Sequence, residues 1–201
     1  MKTPSAVIAV LAVWCATVLV LGAAGAFANT ADTPPIALGL GAGLPIAAFL
    51  AAYATLRSFR SYVLSLDLRL LASIQAWRWA GLEFLTLYAY GVLPALFAWT
   101  AGLGDMAIGA TAPWIALALA RDSEFAGTRK FMTWNLLGML DLVTALSLGA
   151  LGGAATAPMT QMPLVLIPCF LVPFFFMLHF TALFQARLKA ARGAAFAVAL
   201  T

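Results

Sequence analysis

Six long apolar runs, separated by short polar or glycine- and proline-bearing stretches, divide this chain. About 20 helical residues cross the ~30 Å hydrocarbon core of a bilayer. On that scale the runs at 5–28, 35–56, 79–101, 106–120, 131–151 and 162–185 predict six membrane-crossing helices, the fourth of them short. The expected fold is therefore all-α and polytopic, a single transmembrane domain spanning 1–201.

Details within the runs refine this picture. Ser5–Ala28 ends in Ala26-Phe27-Ala28, as a secretory signal would. A signal's apolar core is about 7–15 residues, and the longer run here reads as an uncleaved first span. Pro35–Leu56 carries Pro45 and a Gly39-x-x-x-Gly43 surface suited to close helix packing. Arg57–Arg78 does not read as a span, because Asp67, Arg69 and Arg78 would be costly in lipid. Its apolar positions, among them Tyr62, Leu64, Leu68 and Ile74, predict an amphipathic helix at the cytoplasmic interface, anchored by Trp77 and Trp79. The alternative is that this segment forms the first turns of a long third helix. Trp79–Ala101 is interrupted near Pro94, and Gly102-Leu-Gly-Asp105 reads as a tight turn into Met106–Ala120. Phe131–Leu151 ends on Gly149-x-x-x-Gly153. After the loop Gly152–Gln161, Met162–Gln185 carries Pro163, Pro168 and Pro173.

Charge sets the orientation. The eleven basic residues fall at Lys2, after the second run (Arg57, Arg60, Arg69, Arg78), after the fourth (Arg121, Arg129, Lys130) and after the sixth (Arg187, Lys189, Arg192). By the positive-inside rule both termini are cytoplasmic. At 64% hydrophobic and 9% charged, the chain is far from the roughly 25% charged residues of soluble domains. Its pI of about 9.4 is explained by anionic lipid head groups rather than nucleic acid. High alanine and the one-sided basic bias suit a multi-pass protein of a bacterial cytoplasmic membrane.

Few groups bear chemistry. Cys15 and Cys169 lie within apolar runs and read as packing residues. Every lysine sits at the end of a run, so no buried amine is available for a retinal-type Schiff base. A single histidine excludes bis-histidine haem ligation within one chain. Met159-x-x-Met162 lacks a second thioether pair for a soft metal. No cofactor or metal is expected.

Ionisable groups at membrane depth are functional candidates. Asp141 stands mid-way along the fifth run, with Gly138, Thr144 and Ala145 on its face. It suits proton carriage or cation binding, or else a hydrogen bond across a helix interface. His179, in the inner half of the sixth run, suits a proton relay or a buried hydrogen bond, and adjacency lets it approach Asp141. Glu83 is expected near the cytoplasmic boundary, bridged to Arg78 or another basic loop residue. Asn135 is expected to bond a neighbouring helix.

Gly102-Leu-Gly-Asp105 resembles the GxGD motif of intramembrane aspartyl proteases, the signal peptide peptidases and prepilin peptidases. That resemblance implies a catalytic dyad in which Asp105 shares a proton with an earlier aspartate, here Asp67 in Ser-Leu-Asp-Leu-Arg69. The lysine usual after the prepilin-type aspartate is replaced by Met106-Ala-Ile108, and Pro94-Ala-Leu96 precedes the motif instead of following it. One span also separates Asp67 from Asp105, and without the resemblance Asp105 reads as the N-cap of the fourth helix. Three functions are thus expected in order: transport of a small solute or ion responding to Asp141, with His179; a non-catalytic subunit or scaffold, homo-oligomeric or within a larger membrane complex; and a GxGD-type protease.

Overall fold

The computed structural model describes residues 3–28 and 36–199; Lys2, Pro35 and the Arg192 side chain lie outside that description. Among the described residues the protein is all-helical, with no strand. Five helical stretches are long and apolar enough to cross a membrane, and the chain reads as a membrane protein. They are α1 (Thr3–Ala23), α2 (Ile36–Thr55), α6 (Ala95–Arg121), α7 (Arg129–Leu151), and the run from a π-helical turn at Ile167–Leu171 into α8 (Val172–Ala199). Between α2 and α6 lie α3 (Arg57–Ser65), α4 (Leu68–Ile74), a 3₁₀ turn (Gln75–Gly81) and α5 (Leu82–Ala89). The last three follow end to end as one helical rod, Leu68–Ala89.

This arrangement corrects the expected third and fourth spans. Gly102–Asp105 is not a hairpin: α6 runs unbroken through it, and the reversal lies at Tyr90–Pro94. Gly91, at φ 71°, supplies the left-handed turn residue. Pro94 then stands extended as the residue before α6, because its ring suits a helix start and cannot continue a helix behind it. Glycines inside a membrane helix persist where a neighbour occupies the space they leave. Asp105 is thus an interior residue and caps no helix.

Only Arg57–Ser65 forms the expected surface helix. Val63 is buried while Arg57, Ser58 and Arg60 are exposed. Arg60 folds back over α2, donating to the carbonyls of Tyr53 (3.0 Å) and Ala54 (2.6 Å), so a cation satisfies the orphan acceptors at that helix end. From α8, Gln185 Nε2 donates to the carbonyls of Val63 and Leu66. The chain then turns into the rod at Asp67, whose carboxylate accepts from Arg69 N at 2.8 Å and pairs with the Arg69 guanidinium at 2.6 Å. That bond to Arg69 holds the Asp67 carboxyl below its ordinary range. The cap is fully made at neutral pH and fades as pH falls through that lowered range. Asp67→Ala is expected to cost about 1 kcal/mol at neutral pH, the usual value of an N-cap, read as a lower Tm that narrows toward acid.

α8 is the central helix. Over its most apolar 18 residues 61% are buried, against 11% over those of α1 and α2, whose aliphatic side chains stay exposed around the bundle. Gly39 and Gly43 have no neighbour within 4 Å, which corrects the packing surface expected there; Gly41 instead meets Cys169 and Phe27. Pro173 has no N–H to offer the carbonyl four residues back. The backbone there widens into the π turn, with Val172 N–H bonded to Ile167 O.

Candidate functional site

Four ionisable side chains meet near the middle of the bundle, each carried by a different helical element. Arg78 lies ten residues after Leu68 and eleven before Ala89 in the rod. Asp105 is ten residues into α6, Asp141 twelve into α7, and His179 twelve from Ile167. The elements approach closely because glycine stands at each crossing. A Cβ on Gly109 would fall on the backbone nitrogen of Trp79, one on Gly104 on the Asp141 carboxylate, and one on Gly138 on the His179 ring. Gly81 and Gly102 face each other, and a Cβ on Gly81 would also strike Asp105. On α6 the contact stripe is Ala98, Gly102, Asp105, Gly109 and Ala112, spaced by four and three in alternation, so one face carries small residues with an acid at its centre.

Arg78 joins the group. Its side chain is fully buried. Nε donates to Asp105 Oδ1 at 2.6 Å, and Nη2 donates to Asp141 Oδ2. Nη1 lies 3.2 Å from the Gly138 carbonyl and 3.1 Å from His179 Nε2. The Phe175 ring covers the guanidinium at 5.8 Å. Because arginine offers only donors, His179 Nε2 must accept. The proton of the neutral ring then sits on Nδ1 and is donated to Asn135 Oδ1 at 2.9 Å. Asn135 Nδ2 in turn donates to the Phe131 carbonyl, also at 2.9 Å. These contacts use four of the five guanidinium N–H donors and fix the tautomer, and a second ring proton would confront the guanidinium.

Asp141 and His179 thus come together through Arg78. The expected Glu83–Arg78 bridge is absent, and Arg78 is not an inner-loop cation: the rod carries it to mid-bundle and Glu83 beyond it, six residues from the Ala89 end. Thr144 bonds its own helix at the Leu140 carbonyl and gives Asp141 nothing. Asp67 and Asp105 do not meet. Eleven residues separate Asp67 from the partner of Asp105 along the rod, about 16–18 Å at helical rise. No shared-proton dyad forms between them.

A cavity of about 290 Å³ opens beside the centre, with Arg78, Glu83 and Asp105 as its charged wall. Asp105 also lines a smaller space of about 30 Å³ on the far side, toward Gly149 and Met159. Ile167 and Val172 of the π-turn region border both. The two carboxylates keep slight exposure, 17% for Asp105 and 11% for Asp141, while His179 has none.

Arg78 escaped the sequence reading as a site residue, and Asp105 entered it only as half of a GxGD-type dyad or as a helix N-cap, not as the partner of Arg78. A signal existed for both: an arginine centred in one helix-length stretch and an acid centred in the next, with matching depth and opposite sign. No curated protein and no solved structure matches the chain. Residues 35–187, from the start of α2 into α8 and including every member of the charged centre, match a domain of unknown function, DUF8737, and the chain belongs to that family.

Proposed function

We propose that this chain crosses the cell membrane six times and moves a small solute or ion, with the Arg78–Asp105–Asp141 centre as its proton- or cation-responsive element. The observation that carries this reading is a charge count. One guanidinium faces two carboxylates at mid-depth, and the histidine beside them is neutral by its hydrogen bonds. A purely structural ion pair needs one carboxylate. With both ionised the centre holds one uncompensated negative charge in a low-dielectric setting, a state that a proton or small cation relieves. The adjoining cavity gives the centre access, and the proline-widened π turn frees backbone acceptors along it. Gln75, one turn from Arg78 toward Asp67, is buried with Oε1 unpartnered and offers a further acceptor on that side.

The sixth crossing in this reading is the rod Leu68–Ala89. Its 22 residues span about 33 Å at 1.5 Å each, enough for the hydrocarbon core. Arg57, Arg60 and Arg69, then Arg121, Arg129 and Lys130, then Arg187 and Lys189 fall where successive long helices turn back at one end of the bundle, which supports cytoplasmic termini. The setting that suits this one-sided bias is a bacterial cytoplasmic membrane.

Asp141→Asn tests the reading. The variant keeps the shape and the Arg78–Asp105 pair, so it should remain folded, and it removes the excess charge. Proton flux under an imposed potential, followed with a pH dye trapped in proteoliposomes, should fall at least about tenfold. Unchanged flux in the variant removes the reading. A second reading is favoured by the fully buried Arg78–His179–Asn135 chain, whose dry contacts suit a membrane subunit or homo-oligomer held rigid by its polar core. It predicts no flux in the native protein and a partner, or a second copy, retained through mild purification.

A further inference from the structure

The cavity contains a carboxylate that the charged centre does not use. Glu83 lines it, and among the described residues Glu83 makes no ion pair. An unpaired acid at membrane depth is expensive unless something meets it. Around it the wall is aromatic: Trp77, Phe84, Phe170, Phe174 and Phe175. Arg78 lies behind this wall with its side chain fully buried, and four of its five N–H donors are taken by Asp105, Asp141, Gly138 and His179. An anionic ligand would meet two carboxylates and no exposed cation. The rim is open: Trp77 is 77% exposed, and Leu171 and Glu83 are exposed beside it. This opening lies on the flank of the bundle, where acyl chains would run.

We propose that the cavity binds a lipophilic organic monocation, reached sideways from the bilayer. Aromatic ring faces would take its apolar part and attract its charge, and the carboxylates of Glu83 and Asp105 would supply the counter-charge. A volume of about 290 Å³ is at the small end of ligand sites and suits one ring with an ammonium head. This deepens the transport reading by naming its cargo class, but it is a statement about binding and is tested without flux.

The test uses the full chain in phosphatidylcholine nanodiscs and three probes of one shape: benzyltrimethylammonium, its neutral carbon isostere neopentylbenzene, and the anion phenylmethanesulfonate. Calorimetry or quenching of tryptophan fluorescence reads the affinities. The cation should bind saturably, with the neutral isostere at least about tenfold weaker and the anion weaker still. Glu83→Gln, at an exposed position that leaves the core untouched, should weaken cation binding about tenfold, the size of one partly desolvated charge contact. Trp77→Leu should weaken it too. Equal binding of the neutral isostere, preference for the anion, or no loss in Glu83→Gln would each overturn the proposal. Cation binding without any flux would sink the transport reading and leave this site standing. Proton flux without cation binding would do the reverse.

Discussion

Arg78→Ala should lower unfolding stability by about 3–5 kcal/mol, the range for removing one partner from a buried ion pair. Asp105 and Asp141 would be left as neighbouring carboxylates with no guanidinium to bridge them, and the Gly138 carbonyl and His179 Nε2 would lose its donors as well. The cost lies in stranding those groups, so it should be recoverable. Arg78→Met combined with Asp105→Asn and Asp141→Asn removes the stranded charges and should regain most of the loss, because buried ions replaced by neutral groups of similar volume are often tolerated. Arg78→Lys should fall between the two, since one ammonium cannot reproduce a planar fork that reaches two carboxylates, a carbonyl and an imidazole. Unfolding in graded sodium dodecyl sulfate micelles measures all three. A single variant as mild as the triple one would mean that the guanidinium is not what holds the centre together.

The helical character and most of the apolar runs were readable from residue type and length, because lipid leaves a chain few alternatives. Asp141 and His179 were also readable, since a lone acid and the lone histidine within apolar runs have no surface explanation. What misled was treating Arg78 as a loop cation, as the positive-inside rule invites. That rule assigns arginines by the charge of loops, and it placed Arg78 with Arg57, Arg60 and Arg69 although Arg78 lies well inside the rod. With Arg78 held at the interface, Asp105 had no basic partner, and Gly102-Leu-Gly-Asp105 took on the look of a turn. Pairing was the missing information: an arginine is admissible at depth when two carboxylates arrive at the same level, and which helices face each other is a tertiary fact. The stripe Ala98, Gly102, Asp105, Gly109, Ala112 was nevertheless written in the chain at helical spacing. A hairpin at 102–105 would have broken that period in the middle, and this was the sequence-level reason to prefer one helix.

The same stripe yields the second large effect. Gly109→Ala should destabilise the protein by about 2 kcal/mol or more. Overpacking a tight contact costs about 1–3 kcal/mol and occasionally more, from which the better helix propensity of alanine, about 1 kcal/mol, is recovered. The upper part of that range is expected because the added Cβ meets backbone, the Trp79 nitrogen and the Arg78 carbonyl carbon at 2.8 Å, so no side-chain rotation relieves it. The rod itself must move off α6, and it carries Arg78 away from Asp105 as it goes. Gly39→Ala is the matched control: its Cβ meets nothing within 4 Å, and propensity alone should leave that variant neutral or up to about 1 kcal/mol more stable. The pair separates the space glycine leaves from the flexibility it adds. If Gly109→Ala proved as harmless as Gly39→Ala, the close approach of the rod to α6 could not be what sets Arg78 between its two carboxylates.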